Sequence, residues 1–446
     1  MPRQSIIIAN LILLSSLWMA STPVLSTEPP AQPSEDWNIH LQSTYIWQRK
    51  AAFSSPYSGP NSLSGDYEKS YSLTGSMALG WRAWQGGELY FNPEVAQGVP
   101  MSNLLGLAGF PNGELARTSG ASPTFYRARL FLRQTINLGG ESEYLETDAN
   151  QLAGFADKNR LVITVGNLSV LDIFDDNSYS HDPRTQFMNW GLFTHGAYDY
   201  AADSRGYTWG VAAEYLHDDW AIRVGRFVQP GEPNMLKLDE RIFRHYGDQI
   251  ELEHSHQLAG QPGKLRLLVF RNRAIMARYD DALSLAAQTG GVPNINLVRH
   301  GEQIKHGVGI NLEQAITDDI GVFARASWAD GKTETYAFTH IDRNFSLGLS
   351  IQGNRWQRAE DTFGVAFSRN GLSAASRNYL AQGGIAFFLG DGQLNYRSEN
   401  TLETYYSAIL CKGWRATLDY QHIDHPGYNA DRGPVQIWGA RLHAEY

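Results

Sequence analysis

The stretch Gln436-Ile-Trp-Gly-Ala-Arg-Leu-His-Ala-Glu-Tyr446 alternates without interruption. Trp438, Ala440, Leu442, Ala444 and Tyr446 share one parity; Ile437, Gly439, Arg441, His443 and Glu445 share the other. In a strand, successive side chains point to opposite faces. The segment therefore reads as a strand with one apolar face, one mostly polar or charged face, and an aromatic at its end.

The alternation recurs upstream. Leu73, Met77, Leu79 and Trp81 oppose Ser72, Thr74, Ser76 and Arg82; Phe345, Leu347, Leu349 and Ile351 oppose Asn344, Ser346, Ser350 and Gln352. The runs are about 8–12 residues long, which is what a tilted strand needs to cross a membrane. About sixteen can be placed: near 37–48, 70–82, 86–95, 124–136, 160–170, 206–217, 218–228, 245–257, 263–274, 303–314, 318–329, 342–352, 361–369, 394–409, 413–424 and 436–446. Their connections mostly alternate long and short, as an up-and-down antiparallel transmembrane barrel requires. Residues 49–69, 96–123, 171–205, 229–244, 275–302, 370–393 and 425–435 are long; Ala83-Trp84-Gln85, His217-Asp218-Asp219 and Cys411-Lys412 are tight turns. Residues 137–159 break the pattern, being long where a short turn is due, and 330–341 are short for an outer loop. A secreted β-sandwich would also alternate, but it predicts neither this loop rhythm nor aromatics clustered near strand ends on the apolar parity.

Composition agrees. Arg3, the apolar run Ile6 to Ala20 and Val24-Leu25-Ser26 read as a signal peptide over residues 1–26, followed by a flexible lead-in at 27–36 and a barrel domain at 37–446. Export implies the outer membrane of a Gram-negative cell. After residue 26 no run of ~20 apolar residues occurs, so no transmembrane helix is expected. The mean hydropathy of −0.36 suits a barrel, in which only alternate strand residues face lipid. Aromatics make up 12% of residues and glycines number 43, fitting girdles and tight turns. The single cysteine, Cys411, excludes an intrachain disulfide and a cysteine-based zinc site. A net charge of −9 without a basic stripe argues against nucleic acid.

Strand Phe125-Tyr-Arg-Ala-Arg-Leu-Phe-Leu-Arg133 places Arg127, Arg129 and Arg133 on one parity. Arginine on the lipid face at mid-membrane costs about 2–4 kcal/mol, so all three are expected in the lumen. Arg223, opposite Ile222 and Val224, is expected there too, as are Glu251 and Glu253. The arginines read either as a ladder lining a constriction or as a solvated wall balancing acidic loops. Loop 171–205 carries Asp172, Asp175, Asp176, His181, Asp182 and Trp190 and is too apolar to lie wholly in solvent. Part of it is expected to fold into the lumen and face the arginine wall. Charged groups beside aromatic faces would suit sugars, which stack their C–H faces and hydrogen-bond through their hydroxyls. Asp175, Asp176, His181 and Asp182 could instead attract a hard divalent cation, although their spacing matches no EF-hand. There is no Gly-x-Ser-x-Gly, His-Glu-x-x-His or phosphate-binding glycine loop, so neither an enzyme nor a cofactor is expected.

Several segments resemble the carbohydrate-selective, OprB-like porins: Gly87-Glu-Leu-Tyr-Phe-Asn-Pro-Glu94, Gly109-Phe-Pro-Asn-Gly113, Phe174-Asp-Asp-Asn-Ser-Tyr-Ser-His-Asp-Pro-Arg184, Gly390-Asp-Gly-Gln-Leu-Asn-Tyr396, Glu399 to Tyr406, and Asp419-Tyr-Gln-His-Ile-Asp-His-Pro-Gly427. The resemblance implies a sixteen-stranded outer-membrane porin that passes small sugars by diffusion through a narrow arginine, acidic and aromatic pore. Some members of the family are described as manganese porins. Outer-membrane lipid and lipopolysaccharide are the expected surroundings. The outer aromatic belt suits a monomer or a homotrimer. A barrel enzyme and a polysaccharide-secretion barrel are the remaining alternatives.

Overall fold

A computed structural model of the protein describes residues 33–118 and 120–446. The expected signal peptide, and all of the lead-in before residue 33, lie outside the described residues. Sixteen antiparallel strands close into a barrel. They are β1 (Trp37–Lys50), β2 (Glu68–Trp84), β3 (Gly87–Val99), β4 (Thr124–Asn137), β7 (Arg160–Leu168), β8 (Thr208–His217), β9 (Trp220–Val228), β10 (Tyr246–Leu258), β11 (Gln261–Ile275), β12 (Glu302–Thr317), β13 (Ile320–Ala329), β14 (Arg343–Gln352), β15 (Thr362–Gly371), β16 (Glu399–Cys411), β17 (Trp414–Asp424) and β18 (Val435–Glu445). The numbering gap is filled by a small hairpin, β5 (Ser142–Leu145) and β6 (Gly154–Asp157). Every expected barrel strand is present within a few residues, except that β16 starts five residues later than the expected 394.

The C-terminal strand closes the ring. β18 pairs with β17 on one side and with β1 on the other, Leu442 lying opposite Tyr45. Closure leaves no sheet edge with unpaired backbone, which is what a bilayer demands. Trp438 and Leu442 are exposed on the outer face, whereas Ile437, Arg441 and His443 are buried on the inner one. The same division holds around the ring: Ile39, Leu41, Val211, Ile250, Val269 and Leu347 face outward. Among the described residues no helix is long and apolar enough to cross a membrane; the strands do the crossing.

Long loops gather at one end of the barrel and short turns at the other. Two of the long loops turn back into the bore. Residues 171–205 and 100–123 bring Phe110, Phe174, Trp190, Phe193 and Tyr200 into one buried aliphatic and aromatic cluster. A Cβ on Gly113 would lie 2.6 Å from the Phe193 ring, so the two loops meet at a distance that only glycine permits. The long connection 137–159, at the short-turn end, is the β5–β6 hairpin. It packs into the barrel mouth through Leu152, Ala153 and Ala156, all buried. Asn38 donates to the Gln151 carbonyl at 2.8 Å and Arg133 to the Asn150 carbonyl at 2.8 Å.

Candidate permeation site

Loop 171–205 is fastened to the wall chiefly through its own backbone. Glu251 on β10 accepts from the Asp175 N–H at 2.9 Å, Glu313 on β12 from the Ser178 N–H at 2.8 Å, and Glu403 on β16 from the N–H groups of Met188 and Asn189 at 2.5 and 2.9 Å. Arg441 on β18 donates to the carbonyls of Pro183 and Gln186 at 2.8 and 2.9 Å. Irregular backbone inside a barrel must find such partners, because an unmet buried N–H or C=O costs ~1–3 kcal/mol.

This fastening changes the meaning of several expected pore residues. Asp175 is fully buried and meets Arg325 of β13 at 2.9 Å; it also accepts from the Thr194 hydroxyl at 2.8 Å and the His195 N–H at 2.7 Å. Burial alone would raise its pKa, but the Arg325 guanidinium overrides this and holds the carboxyl down at about 2. Asp175 is therefore an anchor and not part of the pore lining. Glu251 points inward as expected but is sealed beneath the loop. Trp190 is buried among Phe110, Phe193 and Phe338 and does not face the bore. Asp182 folds onto its own turn, accepting from the Arg184 N–H at 3.0 Å and the Thr185 hydroxyl at 2.9 Å.

Arg127 is a second correction. A register shift lies across Asn92 and Pro93 of β3: Asn92 pairs with Arg129, and Pro93 pairs with Arg127. Ala128 is the extra residue, and a one-residue bulge reverses the faces beyond it. Arg127 consequently points outward, with its guanidinium 5.1 Å from the Trp209 ring centre, and Tyr126 points inward, donating to Glu94.

Arg129 and Arg133 do face the lumen. Arg129 grips Asp172 with two hydrogen bonds, at 2.6 and 2.7 Å. Burial would raise the Asp172 pKa, but the Arg129 charge prevails and keeps it low. Arg223 lies between Glu214, Glu251 and Glu253 at 3.0, 3.2 and 3.0 Å. Arg133, Arg223, Asp172, His181 and Glu253 line a cavity of about 1630 Å³ in the short-turn half of the bore. Arg82 and Glu214, on the polar parity of their strands, join them there, as do Arg160, Lys264 and Glu88, which the sequence did not single out. Asp176 keeps 58% of its side chain exposed, 3.5 Å from Arg266. Asp175, Asp176, His181 and Asp182 are not brought together as a cation site, and among the described residues no three His, Cys, Asp or Glu side chains are so placed.

A four-membered charge cluster lies beside Arg129 and escaped sequence reasoning. Arg184 bridges Glu94 and Glu114 at 3.1 and 2.9 Å, and Arg117 approaches the same two carboxylates at 3.8 and 3.4 Å. Glu114 is desolvated, yet Arg184 and Arg117 hold its pKa at about 2. The Arg117 guanidinium donates to the Tyr207 hydroxyl at 2.8 Å, and Arg129 lies 5.3 Å from the Tyr207 ring centre. Arg184 and Glu94 occur in the segments that carry the family resemblance, which was the one available signal.

A closed sixteen-strand barrel, with loops folded into a charged bore, defines an outer-membrane porin. A family model described as carbohydrate-selective porin, OprB family, matches residues 67–446. The chain belongs to that family and is an outer-membrane diffusion channel. In fold it is similar to the high-pH structure of Pseudomonas putida OprB, at 16% identity and a TM-score of 0.66, covering 92% of this chain and 94% of that one. The low-pH structure of the same P. putida protein aligns at 13% identity and a TM-score of 0.47, covering 92% and 93%. Pseudomonas aeruginosa OccK2 aligns at 10% identity and 0.45, covering 92% and 97%. No curated protein matches the chain by sequence.

Proposed function

We propose that this porin passes small sugars passively into the periplasm, selecting them where loops 171–205 and 100–123 meet β3 and β4. The carrying observation is a row of partly exposed, fixed charges there: Arg129 beside the acceptor Asp172, and Arg117 and Arg184, whose guanidinium groups are held from behind by the buried carboxylates of Glu94 and Glu114. Each sugar hydroxyl both donates and accepts, so such a surface can replace water one hydrogen bond at a time. Because the charges are already paired, a neutral solute need not neutralise them. The same reading has residues 1–26 removed on export, lipid and lipopolysaccharide against the outer face, and one bore per chain, whether alone or in a homotrimer.

Single-channel current in a planar bilayer tests it, with glucose titrated against Mn²⁺. Saturable block by millimolar sugar supports the reading. A hydrogen bond from a charged group contributes ~1.5–3 kcal/mol, so Arg129→Ala should weaken that block on the order of tenfold or more. No sugar block, together with a cation preference lost in Asp176→Ala, would move the assignment to a divalent-cation porin; Asp176 is the acidic loop residue whose exposed carboxylate keeps that alternative alive.

A further inference from the structure

Lipid-facing cations are distributed one-sidedly over this barrel. On the described strands, every Lys or Arg of the outward parity lies near the long-loop end: Arg226, Arg271 and Arg273 on one side, and Arg49, Lys69, Arg127, Arg343 and Arg369 elsewhere around the ring. At the short-turn ends the outward positions are held instead by residues such as Trp37, Trp81, Trp220, Leu258 and Leu265. Neutral lipid would demand no such asymmetry. An anionic headgroup present in one leaflet would.

The densest part of this belt spans β9 to β12. Asp248 lies opposite both Arg226 and Arg271 in the ladder and pairs with each at 2.7 Å. Both guanidinium groups also flank the Tyr246 ring, at 4.0 and 5.4 Å from its centre. Glu302 is shared in the same way by Arg273 and by Arg244 of the preceding outer loop. Four arginines thus share two carboxylates, leaving two net positive charges. The carboxylates hold the guanidinium forks in place, and half or more of the Arg244 and Arg271 side chains stays exposed. One step further into the membrane on these strands, Val224, Ile250, Val269 and Val308 face lipid.

We propose that this patch docks one phosphorylated, multiply acylated glycolipid of the outer leaflet, the lipid A part of lipopolysaccharide. Its phosphates lie on the paired arginines, since guanidinium forks match phosphate oxygens two at a time. Its acyl chains run down the apolar strip below. A free phosphate would use only the upper half of this surface. The proposal rests on the reading that the long loops face outward, but not on what the bore transports.

The purified protein is reconstituted in detergent micelles doped with bis-phosphorylated lipid A, with the same lipid after phosphate removal, or with phosphatidylcholine, and thermal unfolding is followed. Only the bis-phosphorylated lipid should raise the melting temperature, and inorganic phosphate at equal concentration should not reproduce the shift. In Arg226→Ser/Arg271→Ser/Arg244→Ser/Arg273→Ser the apparent affinity should fall roughly tenfold or more. Arg49→Ser/Lys69→Ser should leave it near wild type. Unchanged single-channel conductance in the quadruple variant shows that it is folded and isolates this result from the sugar question. Equal stabilisation by the dephosphorylated lipid, an undiminished shift in the quadruple variant, or a shift reproduced by phosphate alone would each overturn the proposal. So would an oligomer that the quadruple variant dissociates, because the patch would then be a contact between copies.

Discussion

Ala128 has no partner across the β3–β4 ladder, so the side chains on either side of it swap faces. Arg127 and Arg129, two residues apart and nominally equivalent, therefore meet different solvents. Near the outer end of its strand Arg127 reaches the interface, where an outward arginine costs only ~0–1 kcal/mol. Arg127→Ala should leave sugar block within about twofold of wild type, whereas Arg129→Ala should not; equal losses in a titration of both variants would place the bulge wrongly. The bulge was legible in one residue. Pro93 cannot donate to a ladder, and within a barrel that has no edge it belongs at an irregularity. Parity alone carried Arg129, Arg133 and Arg223 correctly to the inner face, but parity cannot say what covers an inward side chain, so Glu251 was placed in the lumen lining when it lies beneath the loop. His195 adds a pH dependence. It is buried in the inserted loop against Asp175 at 3.4 Å, facing Arg325 as well, and burial with the Arg325 charge lowers its pKa to about 4. The folded state thus holds His195 neutral. A group depressed in this way stabilises the docked loop fully above its ordinary value of about 6.5, and that contribution is lost as pH falls towards 4. His340, buried in another outer loop, is lowered to about 4 by burial too and acts in the same sense. Amide protection in loop 171–205, measured relative to the intrinsic exchange rate at each pH, should therefore fall between about pH 6.5 and 4, and less so in His195→Gln; protection that stays flat over that window would discount the effect.

At the scale of elements, strands were far more legible than loops. A strand that faces lipid on one side and a filled bore on the other keeps a strict period of two, and nothing in its packing disturbs that signal. The inserted loops have no period. Loop 171–205 announced itself through its apolar content, but loop 100–123, which supplies Glu114 and Arg117, is shorter, and its reach into the bore depends on the Gly113–Phe193 contact and on Glu399 accepting from the Ala108 and Gly109 N–H groups at 2.9 Å. Such long-range pairing leaves no local trace. The connection 137–159 was visible only as a length anomaly. In place, it lays β5 and β6 across the short-turn mouth of the 1630 Å³ cavity, with Glu143 on Arg160 at 2.5 Å and the Ala153 carbonyl on Arg82 at 3.2 Å. It obstructs the exit without touching the Arg129 site. Replacing residues 140–157 by a tight turn should raise single-channel conductance, by tens of per cent or more, while the concentration of sugar giving half block stays put. Unchanged conductance would mean that the narrowing beside Arg129 alone limits the current.

For the whole molecule, orientation is the property on which the lipid patch depends, and one residue reports it. The chain has a single cysteine, Cys411, exposed at the end of β16 where the strand turns into β17. That turn lies at the short-turn end, which in this class of barrel faces the periplasm. A thiol reagent too bulky and too charged to cross the outer membrane or to thread the bore should leave Cys411 untouched in intact cells. After the outer membrane is permeabilised, the same reagent should label it to near completion, and Cys411→Ser should abolish the signal. A cysteine placed by Phe243→Cys in the outer loop after β9, where the native side chain is 85% exposed, should give the reverse pattern in a Cys411→Ser background. Labelling of Cys411 in intact cells, with Phe243→Cys protected, would invert the barrel. The arginine belt would then face the periplasmic leaflet, where a phosphorylated outer-leaflet glycolipid could not reach it, while the donor and acceptor pairs around Arg129 would still select solute from either side.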